Sequence, residues 1–241
     1  MSEPPNRSGR LWTSCPSIQR LDFNDQFMLC DYCDQFILKC CQHSSSKARG
    51  PRKLCHHYFL IFADGSCLGN GKVGARAGVG IALGMEPDQQ FAYSFSELDG
   101  VCSVRTNQIA ELKAAIEAVK LAGTHLGLAD SGKRAINRCN PRSRHQQLQK
   151  EAGIPKCIIA MDSEYVVLGI TDRLHGWKAN GYLNPRRTKP INLDLFLELE
   201  AAINDFEEKK NGRIRFWYIS RKNNKVADRL ANIGARLDEL V

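Results

Sequence analysis

The alternation of apolar and polar residues divides most of the chain into short strands and amphipathic helices. Apolar runs predict five strands after residue 57, at 58–64, 76–83, 90–96, 156–161 and 213–219. Apolar residues three and four positions apart predict helices at 107–122, 192–208 and 223–237, with a short helix in 163–174. Three strands followed by helix, strand, helices, strand and helix predict an α/β fold with a mixed sheet covered by helices.

Two of the predicted strands lead into an aspartate. The run 58–64 ends on Asp64 before a glycine-rich stretch, and Asp162 directly follows the run 156–161. Asp-Gly alone is also ordinary turn chemistry. If the two strands are neighbours, however, their carboxyl ends bring both carboxylates together, and such close like charges need a cation between them. Carboxylate oxygens favour Mg²⁺ or Mn²⁺ over Zn²⁺.

The net charge of +8 comes from two segments of the 241-residue chain. Residues 1–57 carry +3 and residues 125–156 carry +5, whereas the remainder is balanced. This distribution predicts attraction to a polyanion, with a solvated basic surface as the alternative. Because 125–156 is rich in Arg, Asn, Ser and Gln, we expect an inserted surface loop there, which could add affinity for other nucleic acid.

The first 57 residues predict a separate small Cys/His-rich segment, closed by the linker SSSKARGPRK at 44–53. Six of the ten cysteines lie in this segment. One interpretation is a zinc site and the other is a set of free thiols. The candidate zinc ligands are Cys30, Cys33, Cys40, Cys41 and His43.

The chain has no run of about 18 apolar residues, and its first residues lack the apolar core of a secretory signal. We therefore expect an intracellular monomer that does not enter a membrane. The nucleus and the cytoplasm are both open. Arg and Ser residues near the start also leave the mitochondrion open, although Glu3 and two prolines argue against a transit peptide.

Five motifs together resemble those of type 1 ribonuclease H, in that family's order. They are FADGSCLGNG (62–71), TNQIAELKAAIEAV (106–119), IIAMDSEYVVLGIT (158–171), GWKANGY (176–182) and NNKVADRLAN (223–232). The resemblance implies a ribonuclease H-like mixed five-stranded sheet over 58–241, with a basic insertion at about 125–156. It also implies an endoribonuclease that cuts the RNA strand of RNA/DNA hybrids.

The resemblance further implies a four-carboxylate site that binds two Mg²⁺ ions, or Mn²⁺, together with substrate. Its members are Asp64, Glu111, Asp162 and Asp228. Residues expected to contact the RNA strand are Gly65, Ser66, Asn70, Asn107 and Gln108. Residues expected to contact the DNA strand are Arg105, Thr106, Arg173, Trp177, Lys178, Asn180 and Asn192.

The chain departs from the family pattern at two functional positions. The segment before the last helix, YISRKNNKVAD, has no histidine, which predicts slower turnover because Arg221 and Lys222 cannot shuttle protons near pH 7. Arg173 stands where the family often has tryptophan, which predicts more salt-sensitive binding. The alternatives are a catalytically weak nucleic-acid-binding protein and a ribonuclease H domain derived from a retroelement.

Overall fold

The computed structural model describes residues 7–30, 34–39, 58–99, 105–125 and 156–238. The strands are β1 Phe27–Leu29, β2 Phe36–Leu38, β3 Tyr58–Leu68, β4 Arg76–Ala82, β5 Gln90–Ser94, β6 Lys156–Met161 and β7 Arg213–Tyr218. The helices are α1 Pro16–Gln19, α2 Phe95–Asp99, α3 Asn107–His125, α4 Glu164–Leu168, α5 Leu174–Ala179, α6 Leu193–Lys210 and α7 Lys225–Leu237. A π-helical turn at Gly169–Arg173 joins α4 to α5, and a 3-10 turn at Arg221–Asn223 precedes α7.

All strands belong to one mixed sheet. Its main part has the order β5-β4-β3-β6-β7, in which β3 pairs antiparallel with β4 and parallel with β6, and β6 pairs parallel with β7. This confirms the α/β class and the five predicted strands with flanking helices. The hairpin β1-β2 adds two further strands, because Ile37 pairs with Phe59 at the start of β3.

Strand β3 is longer than the pattern predicts. It continues to Leu68 because its second half pairs with β4, from Phe62 opposite Ala82 to Leu68 opposite Arg76. The expectation that Asp64 ends the strand was therefore wrong, since Gly65 lies within the paired strand and the predicted turn begins later, at Gly69. Parallel pairing with β6, in contrast, ends at Phe62 opposite Ala160, two residues before Asp64.

The central strand is buried on both faces of the sheet. Phe59, Ile61 and Ala63 belong to the core under α3 and α6. Leu60 and Phe62 belong to a second apolar cluster on the opposite face, together with residues of α7. This alternation follows from the two-residue repeat of a strand, and it makes β3 the rigid centre of the molecule.

The N-terminal arm, defined as the described residues 7–30 and 34–39, packs on the same sheet. Leu11 forms a parallel bridge with Phe216 at the edge of β7, where Trp12 N donates to Phe216 O at 2.7 Å. Arg10 makes two hydrogen bonds to Glu207, at 2.6 and 3.2 Å. The expectation of a separate module is therefore wrong for these residues, because they complete the edge and one face of the sheet.

Aromatic side chains of the arm cover the second apolar cluster. The ring centroids of Phe27 and Phe36 lie 5.4 and 5.3 Å from that of Phe62, and the Phe23 centroid lies 5.4 Å from that of Trp217. Cys30 is also fully buried in the core.

Several sequence predictions lie outside the described residues. These are most of the basic insertion and four candidate zinc ligands, Cys33, Cys40, Cys41 and His43. The zinc site and the role of the insertion therefore stay predictions. Within the part of the chain that the structure describes, no helix is long and apolar enough to span a membrane.

Candidate active site

Two carboxylates emerge at one edge of the parallel part of the sheet. Asp162 directly follows β6, and Asp64 lies on β3 just past its last pair with β6. Neighbouring strands lie about 4.8 Å apart. The two strands are neighbours, which meets the condition for bringing the two carboxylates together at one edge.

Gly65 allows Glu111 to approach this edge. A Cβ atom at Gly65 would lie 2.1 Å from the carbonyl carbon of Ala110 and 2.3 Å from the backbone nitrogen of Glu111. Any other residue would push α3 away from β3. A glycine is therefore required after Asp64, because it allows α3 to pack closely enough to bring Glu111, the third carboxylate, to this edge.

Two glycines of β4 have the same effect on the last helix. A Cβ atom at Gly80 would lie 2.2 Å from Ala227 O, and one at Gly78 would lie 2.0 Å from Ala235 N. The close contact of α7 with β4 holds Asp228, in the first turn of α7, near the other carboxylates.

The pKa of Asp64 is affected by the other three carboxylates, which indicates that the four groups are close together. Burial raises the pKa of Asp64 from 3.8 to about 8, with further increases from the charges of Asp162, Asp228 and Glu111. The pKa of Glu111 is also raised, mainly by burial and then by Asp162, although a hydrogen bond from Ser163 opposes the shift. The four predicted carboxylates therefore act on one another in a single, partly buried site.

Two polar side chains hold the carboxylates in position. Ser163 Oγ donates to Glu111 Oε2 at 2.5 Å and caps α4 by accepting from Val166 N. Asn224 Nδ2 donates to Asp162 Oδ1 at 2.7 Å and to Ala63 O at 3.0 Å. Neither role was predicted from the sequence, although Ser163 and Asn224 both lie in motifs quoted above. For Asn224, the sequence signal that could have been used is an amide residue four positions before Asp228.

The donor set suits a hard divalent cation. Four carboxylates supply only oxygen ligands, and a cation among them would offset the repulsion that raises the pKa of Asp64. Among the described residues, however, no three His, Cys, Asp or Glu side chains are already arranged as a metal-binding group. Hydrogen bonds from Ser163 and Asn224 engage two of the carboxylates instead.

Three of the residues expected to contact RNA lie together beside Asp64. Asn70 Oδ1 accepts from Asn107 N at 3.1 Å, and Asn107 Oδ1 accepts from Cys67 N at 3.1 Å. Gln108 is exposed on the next position of α3. Ser66 is turned to α7, where its hydroxyl donates to Asn232 Oδ1 at 2.9 Å.

Five of the seven residues expected to contact DNA lie in or beside α5 and at the start of α6. Trp177 is half-buried, with its ring centroid 5.4 Å from that of Phe196, and Lys178 is paired with Glu200 at 2.8 Å. Asn180 is exposed and donates to Leu183 O at 3.2 Å.

Tyr165 connects the start of α6 to the carboxylates. Asn192 Nδ2 donates to the hydroxyl of Tyr165 at 3.3 Å. Burial raises the pKa of Tyr165, whereas the Asn192 hydrogen bond and the charge of Arg173 lower it, and Glu111 raises it. Asn192 and Arg173 are therefore neighbours of the site.

Arg105 lies in a different environment from the one expected. Its guanidinium forms an ion pair with Asp238 at 2.5 Å, and its side chain is only 9% exposed. This pairing is at odds with a contact to a DNA phosphate. Thr106, the next residue, caps α3 through Oγ1, which accepts from Ile109 N at 3.3 Å.

A basic loop between α5 and α6 was also not predicted from the sequence. Asn184 Oδ1 accepts from Arg186 N and Thr188 N, at 2.9 and 3.1 Å, and thereby shapes a loop that exposes Arg186, Arg187 and Lys189. The signal was the run PRRTK directly after the GWKANGY motif.

Comparison with known proteins agrees with this fold. A family model described as RNase H matches residues 56–131. Ribonuclease H of Polaromonas sp. is 30% identical over 176 residues, which cover 73% of this chain and 86% of the relative. Ribonuclease H of Herminiimonas arsenicoxydans is 31% identical over 178 residues and 92% of its length is covered. The chain belongs to the ribonuclease H family.

Larger relatives match over part of their length. Mouse ribonuclease H1 is 28% identical over 184 residues, which are 75% of this chain, so the chain spans about half, 51%, of that relative. A foamy viral protease-reverse transcriptase in complex with an RNA/DNA hybrid has a TM-score of 0.51 at 16% identity, covering 80% of this chain and 22% of that one. This last likeness concerns the fold alone.

Proposed function

We propose that this protein is an endoribonuclease that hydrolyses the RNA strand of RNA/DNA hybrids with divalent metal ions, Mg²⁺ or Mn²⁺. The grouping of Asp64, Glu111, Asp162 and Asp228 carries the proposal, because burial and then the charges of the other three carboxylates raise the pKa of Asp64 to about 8. Membership of the ribonuclease H family supports the same conclusion.

The four carboxylates would hold the metal ions. Ser163 orients the carboxylate of Glu111, and Asn224 orients that of Asp162. Two bound divalent ions would activate the attacking water and stabilise the leaving oxygen. Arg221 lies beside the site, with its Nη2 atom 3.9 Å from Asp228 Oδ1 and its side chain 84% exposed. It adds positive charge near the phosphodiester, but it cannot transfer protons near pH 7, so slow turnover stays a prediction.

Asn70 and Asn107 suit recognition of the RNA strand. Their amide oxygens are occupied by backbone N–H groups, so each side chain has its NH₂ group to offer to a 2′-hydroxyl. Trp177 and Lys178, with the basic loop at Arg186 and Arg187, would contact the DNA strand. The pairing of Lys178 with Glu200 means that this contact must compete with an existing ion pair.

Cleavage of a labelled RNA/DNA hybrid tests the proposal. We expect the wild type to cut the RNA strand in Mg²⁺ and not in EDTA, and Asp64→Asn to lose this activity while still binding the hybrid. Double-stranded RNA and double-stranded DNA of the same sequence are the substrate controls.

Absence of cleavage in both Mg²⁺ and Mn²⁺, with hybrid binding retained, would favour a nucleic-acid-binding protein over an enzyme. Cleavage that survives Asp64→Asn would exclude the four-carboxylate site as its origin.

A further inference from the structure

A cavity of about 270 Å³ lies between the N-terminal arm and the carboxyl end of β7. It is called the arm cavity below. The residues that matter for its chemistry are Trp12, Ser14, Gln19, Gln26, Trp217 and Tyr218. The family model begins at residue 56, so the arm's side of this cavity comes from residues outside the family match.

The walls of the arm cavity suit a flat, uncharged ring. Three of the lining side chains are aromatic, two carry amides, and none of the described lining residues is charged. The volume is slightly below the range of roughly 300–1,000 Å³ that drug-sized ligands occupy. A single ring system with polar edges therefore fits better than a phosphate or an extended chain.

Two buried donors in the arm lack hydrogen-bond partners. Trp12 Nε1 and Ser14 Oγ are inaccessible to solvent and find no acceptor among the described residues, and Ser14 as a whole is only 8% exposed. Buried polar groups are nearly always satisfied in native proteins, so two orphaned donors from one cavity wall need an explanation. A ligand with carbonyl or ring-nitrogen acceptors supplies one.

The arm cavity is next to the candidate active site. Tyr218 pairs with Met161, the residue before Asp162. The chain then passes in three residues to Arg221, which faces Asp228. A strand of nucleic acid held at the carboxylates is thus within reach of the cavity.

We propose that the arm cavity binds one unpaired nucleobase of the nucleic acid held at the active site. The proposal rests on the proposed function for the identity of that nucleic acid. A nucleobase is planar and neutral and carries acceptors for Trp12 Nε1 and Ser14 Oγ, which must turn toward the cavity to reach it because neither atom is exposed in the unbound protein. It would stack on the exposed ring of Tyr218, as bases do on aromatic side chains in proteins that bind single strands.

Binding of hybrids with and without single-stranded ends tests the proposal. Affinities are measured in the Asp64→Asn background in Mg²⁺, by fluorescence anisotropy, for one blunt hybrid and for four hybrids with an overhang at either end of either strand. We expect at least one overhang to raise affinity by about 5- to 100-fold, the range typical of base stacking.

Substitutions in the cavity should remove only this gain. Tyr218→Ser and Ser14→Ala are expected to reduce the advantage of the overhang several-fold and to leave affinity for the blunt hybrid unchanged. Tyr218→Phe keeps the ring and should retain the advantage. Melting temperatures of all variants show whether the arm remains packed.

Tryptophan fluorescence gives a second readout. Trp12 and Trp217 line the arm cavity, and Trp177 is the third tryptophan of the chain. In a Trp177→Phe background, the overhang hybrid should therefore quench fluorescence more than the blunt hybrid does. Equal affinity and equal quenching for all hybrids would overturn the proposal.

Quenching by a free nucleoside without any overhang effect would also overturn it, because the ligand would then not be part of the bound strand. Failure of the proposed function is distinguishable, since a wild type that does not cut hybrids could still bind overhangs more tightly.

Discussion

Asn224 connects three parts of the candidate active site. Its side chain is fully buried and donates to Asp162 and to the backbone of Ala63, the residue before Asp64. Its own carbonyl oxygen accepts from Asp228 N at 3.0 Å at the start of α7. One residue therefore sets the relative positions of three carboxylates. Such partners of metal ligands often matter nearly as much as the ligands themselves.

We expect Asn224→Ala to lower kcat on a hybrid by about 10- to 100-fold, with little change in hybrid affinity, because Asp162 loses its orientation. The Mg²⁺ concentration needed for half-maximal activity should rise. The Mg²⁺ concentration needed to reach half of the maximal increase in melting temperature should rise as well. Asn223→Ala is the matched control, since it removes the same side chain one position away. Equal effects of the two substitutions would contradict a positioning role for Asn224.

Asp64 should weaken the metal-free protein. Its pKa in the folded state is raised from 3.8 to about 8, so its ionisation is penalised by folding, and stability falls as pH rises between these values. Asp64→Asn removes the charge with almost no change of shape. In EDTA at pH 7.5 we expect the variant to melt several degrees above the wild type, at about 2–4 °C per kcal/mol.

The advantage of Asp64→Asn should shrink as the pH is lowered from 8 toward 4. Asp205→Asn is the control, because Asp205 lies on the surface of α6 and forms an exposed ion pair with Lys209. Identical melting of the wild type and Asp64→Asn across this pH range would show that neither burial nor the neighbouring carboxylates penalise the charge of Asp64.

The end of helix α7 is joined to the sheet by Asp238. Its carboxylate accepts from Ala77 N of β4 and Ser96 N of α2, each at 2.9 Å, and pairs with Arg105 just before α3. Burial alone would raise the pKa of Asp238, but these hydrogen bonds hold it below its usual value. Four elements thus meet at one buried charge.

Asp238→Ala should lower the free energy of unfolding by about 3–5 kcal/mol, because it removes the carboxylate that forms a buried ion pair with Arg105. Glu208→Ala, at an exposed position of α6, should change it by less than about 0.5 kcal/mol. Denaturant titrations measure both. A small effect of Asp238→Ala would mean that Arg105 can turn to solvent and is available for a DNA phosphate after all.

The pH dependence of this contribution has a definite sign. A carboxylate with a lowered pKa stabilises the fold above its unfolded value, near 3.9, and this stabilisation is lost as pH falls through the folded value. The stability difference between the wild type and Asp238→Asn should therefore be constant near neutral pH and shrink below about pH 4.

Elements with local signals could be predicted from sequence, and long-range pairings could not. The apolar runs 59–64 of β3 and 157–161 of β6 identify these strands because every residue in them is buried. Arg105, in contrast, stands near a motif that binds phosphate in the family, but its partner Asp238 is 133 positions away. The sequence around Arg105 gives no indication that Asp238 is its partner, and the sequence around Asp238 gives no indication of Arg105.

The N-terminal arm escaped prediction for the same reason. Its strands have three residues each, too few to show a period, and its aromatic residues find partners only in the folded sheet. The motifs, by comparison, indicated a set of four carboxylates, and the charges of three of them raise the pKa of the fourth, Asp64; their role as one site stays a prediction. The order of the motifs led to this set of four carboxylates. Residue spacing alone would not have done so, because it does not show which helix packs closely against a glycine of the sheet.

The arm should unfold together with the rest of the molecule. Phe36 is 4% exposed and packs on Phe62 of the central strand, so Phe36→Ala should cost about 3–5 kcal/mol of stability. Circular dichroism and tryptophan fluorescence should report one shared transition, shifted to lower denaturant. Leu29→Ala, at an exposed position of β1, is the control.

Two separate transitions, with the main one unchanged by Phe36→Ala, would show instead that the arm is an independent unit.

The pairing of the arm with β7 also constrains the order in which the protein can be assembled during translation. Arg10 and the carbonyl of Ile214, which it contacts, are separated by 204 positions. At about 5–20 residues per second, the ribosome needs roughly 10–40 s to synthesise that interval. Throughout this time Phe23 lacks Trp217 and Trp12 lacks its β7 partner Phe216, so the nascent chain presents an aromatic segment that chaperones are suited to bind.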